Sequence, residues 1–192
     1  SFGDVKEMLN DRNVGYVWGG MIAHKALSVG EEEPASAKGY SYYFGVHSVD
    51  YKNEYGSGGT FQIRISKDNK QLDKILTENN RSFDSEWAFK ILGNKGLKNI
   101  DEIFSVHQWQ ERCEGIDSEQ IYIVDEGELY YITELRSEGI EGEWIEEYII
   151  YPNDEKGSPN TIIIVKDSHL MGKRDIEFKK YRWNGEALVE LE

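Results

Sequence analysis

Residues 175–191, DIEFKKYRWNGEALVEL, contain two runs that alternate apolar and polar side chains on either side of Asn184-Gly185. Alternation with a period of two predicts a strand with one buried face. Asn-Gly between two such runs predicts a β-hairpin, because both positions of a tight two-residue turn need positive φ.

Similar runs fill the rest of the C-terminal half. They are Ile121–Asp125, Glu128–Leu135, Trp144–Tyr151 and Thr161–Lys166. Short connections between such runs are typical of antiparallel neighbours. We therefore expect an antiparallel meander of about six strands, in the form of a curved sheet or a small barrel.

The N-terminal half mixes strand and helix patterns. Tyr40–His47 and Phe61–Ile65 alternate cleanly and predict a hairpin across a glycine-rich loop. Apolar spacing of three and four predicts helices over Asp68–Glu78 and Asn99–Gly115, the second capped by Asn99. Asp4–Leu9 is a candidate for a further short helix. Phe83–Leu92 fits both periods, and we favour a helix because Gly93 follows as a stop.

These patterns together predict an α+β fold. Helices and short strands before residue 115 are followed by a tyrosine- and tryptophan-rich β meander that packs against them. The expected division is an α+β part over 1–115 and the meander over 116–192, or one continuous domain.

The negative charge is concentrated in one segment. The net charge of −14 comes from 22 Lys+Arg against 36 Asp+Glu. Residues 111–155 alone hold 15 acidic residues against Arg112 and Arg136, a net of −13. An acidic surface repels phosphates and anionic lipid, so we expect neither nucleic acid nor a membrane surface as partner. It attracts a basic protein instead.

The composition argues against a membrane-spanning helix and against an intramolecular disulfide. No run approaches the roughly 18 apolar residues of a spanning helix, and Ser1–Asn10 lacks the apolar segment of a secretory signal. The single Cys113 excludes an intramolecular disulfide. A lone thiol fits a reducing cytoplasm and equally an extracytoplasmic bacterial protein without disulfides, so the compartment stays open.

The sequence offers few residues suited to nucleophilic catalysis. Cys113 and His107 are the one thiol and imidazole that lie close in sequence. Six residues along a helix turn two side chains about 120° apart, so they do not meet locally. A cysteine hydrolase would need another histidine brought to Cys113 by the fold. We predict no catalytic residue.

A metal site is also not expected. The four histidines are scattered at His24, His47, His107 and His169. His107 and Glu111, four apart on the predicted helix, offer two ligands at most. Because His107 continues the apolar stripe of Ile103 and Phe104, we interpret it as a boundary histidine. We predict neither metal nor cofactor.

The charge pattern favours a binding protein of bacterial type that is not an enzyme and docks a basic protein, as inhibitors and immunity proteins of basic enzymes do. The acidic face is predicted to include Glu141, Glu143, Glu146 and Glu147. The first alternative is a carbohydrate-binding or carbohydrate-active domain, with Trp109, Trp144 and Trp183 lining a cleft beside two carboxylates. The second is a structural domain of a larger assembly.

Overall fold

All regular secondary structure in the described part of the chain is β-strand. The computed structural model describes residues 23–26, 38–53, 56–68, 70–76, 81–82, 86–109, 116–140 and 142–191. These residues form thirteen strands in two antiparallel sheets and contain no helix. The predicted α+β class is therefore wrong for these residues. The predicted helix Asp4–Leu9 lies outside them.

The first sheet has five strands. They are β1 Ala23–Ala26, β2 Ser41–Asn53, β3 Gly56–Lys67, β4 Lys70–Leu76 and the short β5 Arg81–Ser82. Strands β1 to β4 lie in sequence order, and β5 pairs with β3. The predicted hairpin is present as β2 and β3, paired from Ser41↔Ser66 to Asn53↔Gly56.

The second sheet is an eight-stranded meander in sequence order. Its strands are β6 Glu86–Gly93, β7 Glu102–Trp109, β8 Ile116–Asp125, β9 Glu128–Ile140, β10 Glu143–Ile150, β11 Ile162–Leu170, β12 Lys173–Trp183 and β13 Leu188–Leu191. Its ends, β6 and β13, do not pair with each other among the described residues, so the sheet is open and forms no closed barrel. Because β7 pairs with β8, the sheet is continuous across residue 116.

Three segments predicted as helices are strands. Asp68–Glu78 contains β4, Phe83–Leu92 contains most of β6, and Asn99–Gly115 contains β7. Asn99 does not cap a helix, because its φ of 57° is left-handed whereas a cap residue is extended.

The apolar pattern of β7 led to a wrong helix prediction because this strand is buried on both faces. Phe104 and Val106 face one core, while Ile103, the residue before Phe104 on the strand, faces the other. A strand covered on both sides gives a nearly continuous apolar run, and such a run also fits helical spacing.

The first core lies between the two sheets. Tyr42 of β2 stacks on Phe104 of β7 with ring centroids 4.6 Å apart. Other members include Phe44, Phe61, Ile63, Ile65, Ile91, Val106, Tyr122, Val124 and Leu129. At the edge of this core, Asp73 of β4 accepts a hydrogen bond of 2.8 Å from the backbone N–H of Leu129. That bond ties one sheet to the other.

The second core covers the opposite face of β7 and β8. It contains Leu97, Ile103, Ile121, Ile123, Leu135, Tyr151, Ile162 and Trp183. Since Ile162 begins β11 and Trp183 ends β12, the later strands of the meander fold back over its earlier ones. The sheet is therefore strongly bent.

The turns of the meander differ from the predicted one. The β12–β13 hairpin exists, but Trp183 pairs with Leu188, so the loop holds four residues and only Gly185 has positive φ. Asn184 stabilises this loop through its side chain, which accepts hydrogen bonds from the N–H groups of Glu186 and Ala187. Two-residue turns with both φ values positive occur at Glu126-Gly127 and Met171-Gly172 instead.

Candidate functional site

A polar cavity of about 120 Å³ lies across strands β6 to β10. Its lining consists of Lys90, His107, Asp117, Ser118, Glu119, Leu135, Ser137 and Glu147. Three carboxylates thus face one ammonium group and one imidazole. The balance of the lining is negative, like that of the chain as a whole.

Strand register brings these side chains together. His107 of β7 lies directly opposite Glu119 of β8, and Glu119 lies opposite Leu135 of β9. Asp117 lies opposite Ser137 in the same way. Directly opposite residues of antiparallel strands project from the same face, so one side of the sheet gathers them.

The cavity lies where the sheet opens. β9 and β10 pair over four positions, which end at Glu146↔Ser137. Just beyond that point the backbone N–H of Arg136 donates a hydrogen bond of 3.1 Å to Oε2 of Glu147. The Glu147 carboxylate therefore continues the hydrogen bonding after the strands separate, and it is held in place at the rim.

Two aromatic residues border this region. The His107 ring lies 5.1 Å from that of Trp109, with 30° between the planes. Burial raises the pKa of Tyr151, and the negative charges of Glu119 and Asp154 raise it further. Tyr151 is therefore a neutral phenol at physiological pH and does not add to the charge of the site.

The size and residue types of the cavity limit its chemistry. Pockets that hold organic ligands usually measure about 300–1,000 Å³, well above this one. No group of three or more His, Cys, Asp or Glu side chains among the described residues is arranged to hold a metal ion. The space suits the end of a single cationic side chain, for which carboxylates are good acceptors.

The predicted acidic residues have different surroundings. Glu147 lines the cavity, and Glu146 is exposed beside it. Glu143 is exposed too, but its Oε1 accepts a hydrogen bond of 2.7 Å from the N–H of Met171 and so supports the β11–β12 turn. Glu141 lies outside the described residues.

The three predicted tryptophans have different ring neighbours. Trp109 lies beside His107 near the cavity. Trp144 lies under His169, with ring centroids 6.3 Å apart, and Arg174 lies 6.0 Å from its centre. Trp183 is buried in the second core and packs edge-on against a tyrosine.

Of the thiol–imidazole and His–Glu pairs considered in the sequence, only His107 lies in the described part of the chain. His107 lies on a strand, so the helical spacing assumed between it and Glu111 does not apply. Cys113 and Glu111 both lie outside the described residues. No helix long and apolar enough to cross a membrane occurs in the part of the chain that the structure describes.

Sequence reasoning missed three charged residues of the cavity: Lys90, Asp117 and Glu119. The signal for two of them was present, because Asp117 and Glu119 precede Ile121 and Ile123 at a spacing of two. That spacing places them on the same face as the isoleucines once the strand is extended to Ile116. Nothing in the sequence indicated that Lys90 reaches the cavity, because its segment was predicted to be a helix.

A second acidic cluster lies toward the other end of β7 and β8. The Tyr40 hydroxyl donates a hydrogen bond of 2.7 Å to Asp101, and Lys38 lies 3.2 Å from the same carboxylate. Burial opposes ionisation of Asp101, but these two partners outweigh it and hold its pKa below the ordinary value. The pKa of nearby Asp125 is raised, first by burial and then by repulsion from Asp101 and neighbouring glutamates.

We expect Asp125→Asn to stabilise the fold at neutral pH. Because the folded-state pKa of Asp125 is raised, its charged form is disfavoured in the folded protein, and stability grows as pH falls through that pKa. At pH 7 the Asn variant should melt about 1–3 °C higher. Below about pH 4, where the unfolded-state carboxyl is protonated as well, the gain should vanish.

Thermal melts between pH 3 and pH 7 measure this difference. Glu155→Gln is the matched control, because Glu155 is exposed and outside the cluster. An equal gain in both variants would show a general charge effect and contradict the local explanation.

Comparisons with protein-family models, with curated proteins and with solved structures find no match to this chain. Function is therefore inferred from the cavity and the surface around it.

Proposed function

We propose that this chain is a binding protein without catalytic activity that docks a basic protein on the acidic surface around the polar cavity. The cavity receives the end of a lysine or arginine side chain of that partner. The observation that carries the proposal is the lining itself, in which three carboxylates face one lysine and one histidine.

Other charged residues near the cavity also favour a basic protein as the partner. Exposed Glu146 of β10 lies opposite Ser137 of the lining. Exposed Glu138 follows Ser137 and projects from the other face, so it contributes only to the long-range field. Lys166 lies opposite Glu147 on β11 and offsets part of this charge. The chain still has a net charge of −14, so its long-range field attracts a basic protein before contact.

The geometry of Glu147 favours recognition of a cation. Its Oε2 is already fixed by the Arg136 N–H, so less conformational freedom is lost when a partner binds. The planar guanidinium of arginine donates up to five hydrogen bonds and matches several carboxylate oxygens at once. Arginine is therefore the side chain that we expect in the cavity most often.

We expect the peptide acetyl-Gly-Arg-Gly-amide to bind weakly at the cavity and to shift the NMR signals of the His107 ring. The same peptide with citrulline in place of arginine should leave these signals unchanged, because citrulline has nearly the same shape without the charge. Glu119→Gln together with Glu147→Gln should weaken binding about fivefold, the scale of an exposed ion pair.

The matched control combines Glu155→Gln and Glu190→Gln, which removes the same charge from exposed positions outside the cavity lining. Its affinity for the arginine peptide should stay near that of the unmodified chain. Equal binding of the citrulline peptide, or equal weakening by both double variants, would overturn the proposed role of the cavity.

A further inference from the structure

Strand β12 has a long unpaired edge. It runs over Lys173–Trp183, but β13 pairs with it only from Lys180↔Leu191 to Trp183↔Leu188. No other strand of the described residues pairs with the Lys173–Lys179 segment on the side away from β11. The backbone N–H and C=O groups that point to this side are available to a further strand.

Side chains of the same segment are exposed on both faces. All residues from Met171 to Lys180 are exposed, and Phe178 retains 60% of its surface and Ile176 39%. Exposed apolar side chains next to open backbone groups are typical of a surface that accepts an additional strand. No residue of this segment lines the cavity, and β11 lies between the segment and Glu147 of the lining.

We infer that the Lys173–Lys179 edge binds an extended segment of a partner protein by β-augmentation, and that this segment carries charges complementary to those of β12. Main-chain hydrogen bonds supply the affinity, and alternate side chains supply the selectivity.

A second copy of this chain is a poor occupant because of its charges. In a symmetric antiparallel pair the two-fold axis passes through a residue that lies opposite itself, since opposite residues share a face. If the two-fold axis passes through Ile176, Lys173 lies opposite Lys179 and Asp175 lies opposite Glu177. Centring on Asp175 or on Glu177 places that carboxylate opposite itself. Every symmetric register that pairs at least five of these residues therefore sets like charges against each other.

The order of side chains in β12 defines the partner segment. On one face Ile176 and Phe178 require apolar residues opposite them. On the other face Asp175 and Glu177 require basic residues, and the flanking lysines require acidic ones. Arg174 is already paired with Asp167, at 3.0 Å from its Nε, so a neutral residue suffices there.

The test uses two peptides of identical composition and zero net charge. The first, acetyl-Glu-Ile-Lys-Val-Lys-Thr-Glu-amide, complements β12 in antiparallel register. The second, acetyl-Lys-Ile-Glu-Val-Glu-Thr-Lys-amide, has the charges exchanged. We expect the first peptide, followed by fluorescence anisotropy, to bind at least tenfold more tightly than the second.

Hydrogen exchange of the backbone amides locates the binding. In the free chain alternate amides between Lys173 and Lys179 should exchange freely, and the first peptide should slow them about tenfold. Asp175→Lys together with Glu177→Lys should abolish this protection. These positions are exposed, so folding is retained, and Glu155→Lys with Glu190→Lys is the control of equal charge.

Four results would overturn the inference. Equal affinity of the two peptides, or no binding of the first, would remove the charge pattern as the basis of selection. Protection of the Lys173–Lys179 amides in the free chain would show that the edge is already occupied. A dimer in native mass spectrometry that the double variant dissociates would make the second copy the occupant.

Discussion

Replacing Phe104 by alanine is expected to lower the free energy of unfolding by about 3–5 kcal/mol, the range for removing a large aromatic side chain from a core. Phe104 is fully buried between the two sheets. Its ring stacks on Tyr42 at 4.6 Å and lies 6.1 Å from Tyr122 and 6.2 Å from Phe89. Both sheets contribute to this cluster, so the cavity left by alanine cannot close by moving one side chain.

Phe178→Ala is the matched control for this prediction. It makes the same chemical change at a position where 60% of the side chain is exposed, and its expected effect is within about 0.5 kcal/mol. Urea unfolding followed by tryptophan fluorescence measures both variants. Equal losses would mean that the two sheets do not share a core around Phe104.

The antiparallel meander could be predicted from the sequence because many of its strands alternate on one face. The β2–β3 hairpin has the same signal, with Tyr42 and Phe44 buried while Ser41 and Tyr43 are exposed. Such strands show their period directly in the order of apolar and polar residues.

The remaining strands could not be identified from their local sequence. In β7 both faces are covered, so the apolar residues carry no period that separates strand from helix. In β4 the pattern fails for another reason. Leu72 and Leu76 are 42% and 45% exposed, so the apolar residues that fit a helical stripe do not mark the buried face. Pairing with β3 decides the conformation, and that contact is not local.

The candidate site shows the same limit. Charge composition led to Glu147, which does line the cavity, but also to Glu143, which stabilises a turn. Asp117 and Glu119 reach the cavity because β8 pairs with β7 and β9 in one register. Composition gives the sign of the surface charge, whereas strand register decides which charged side chains lie next to one another.

Replacing Tyr42 by phenylalanine is expected to lower the free energy of unfolding by about 2–3 kcal/mol, more than the loss of one hydroxyl at the surface. The Tyr42 hydroxyl donates a hydrogen bond to Oε1 of Glu102, and both side chains are buried. Burial, followed by the hydrogen bond to Glu102, raises the pKa of Tyr42, so it remains the donor at all ordinary pH values.

The loss of stability arises from Glu102 rather than from the missing Tyr42 hydroxyl. Its other oxygen, Oε2, is buried and has no hydrogen-bond partner among the described residues, so Tyr42→Phe leaves the buried carboxyl group of Glu102 without the Tyr42 donor. Removing one member of a buried polar pair is costly, whereas replacing both by apolar groups is often neutral. We therefore expect the double variant Tyr42→Phe, Glu102→Met to regain about 1–3 kcal/mol relative to Tyr42→Phe alone.

A double-mutant cycle in urea, completed by Glu102→Met alone, measures this coupling. Strictly additive effects would contradict it, because they would mean that the hydroxyl and the carboxylate contribute independently. The cycle also separates polar pairing from packing. Every variant of the cycle has an aromatic ring at position 42, which keeps the group that stacks on Phe104 in the unmodified chain.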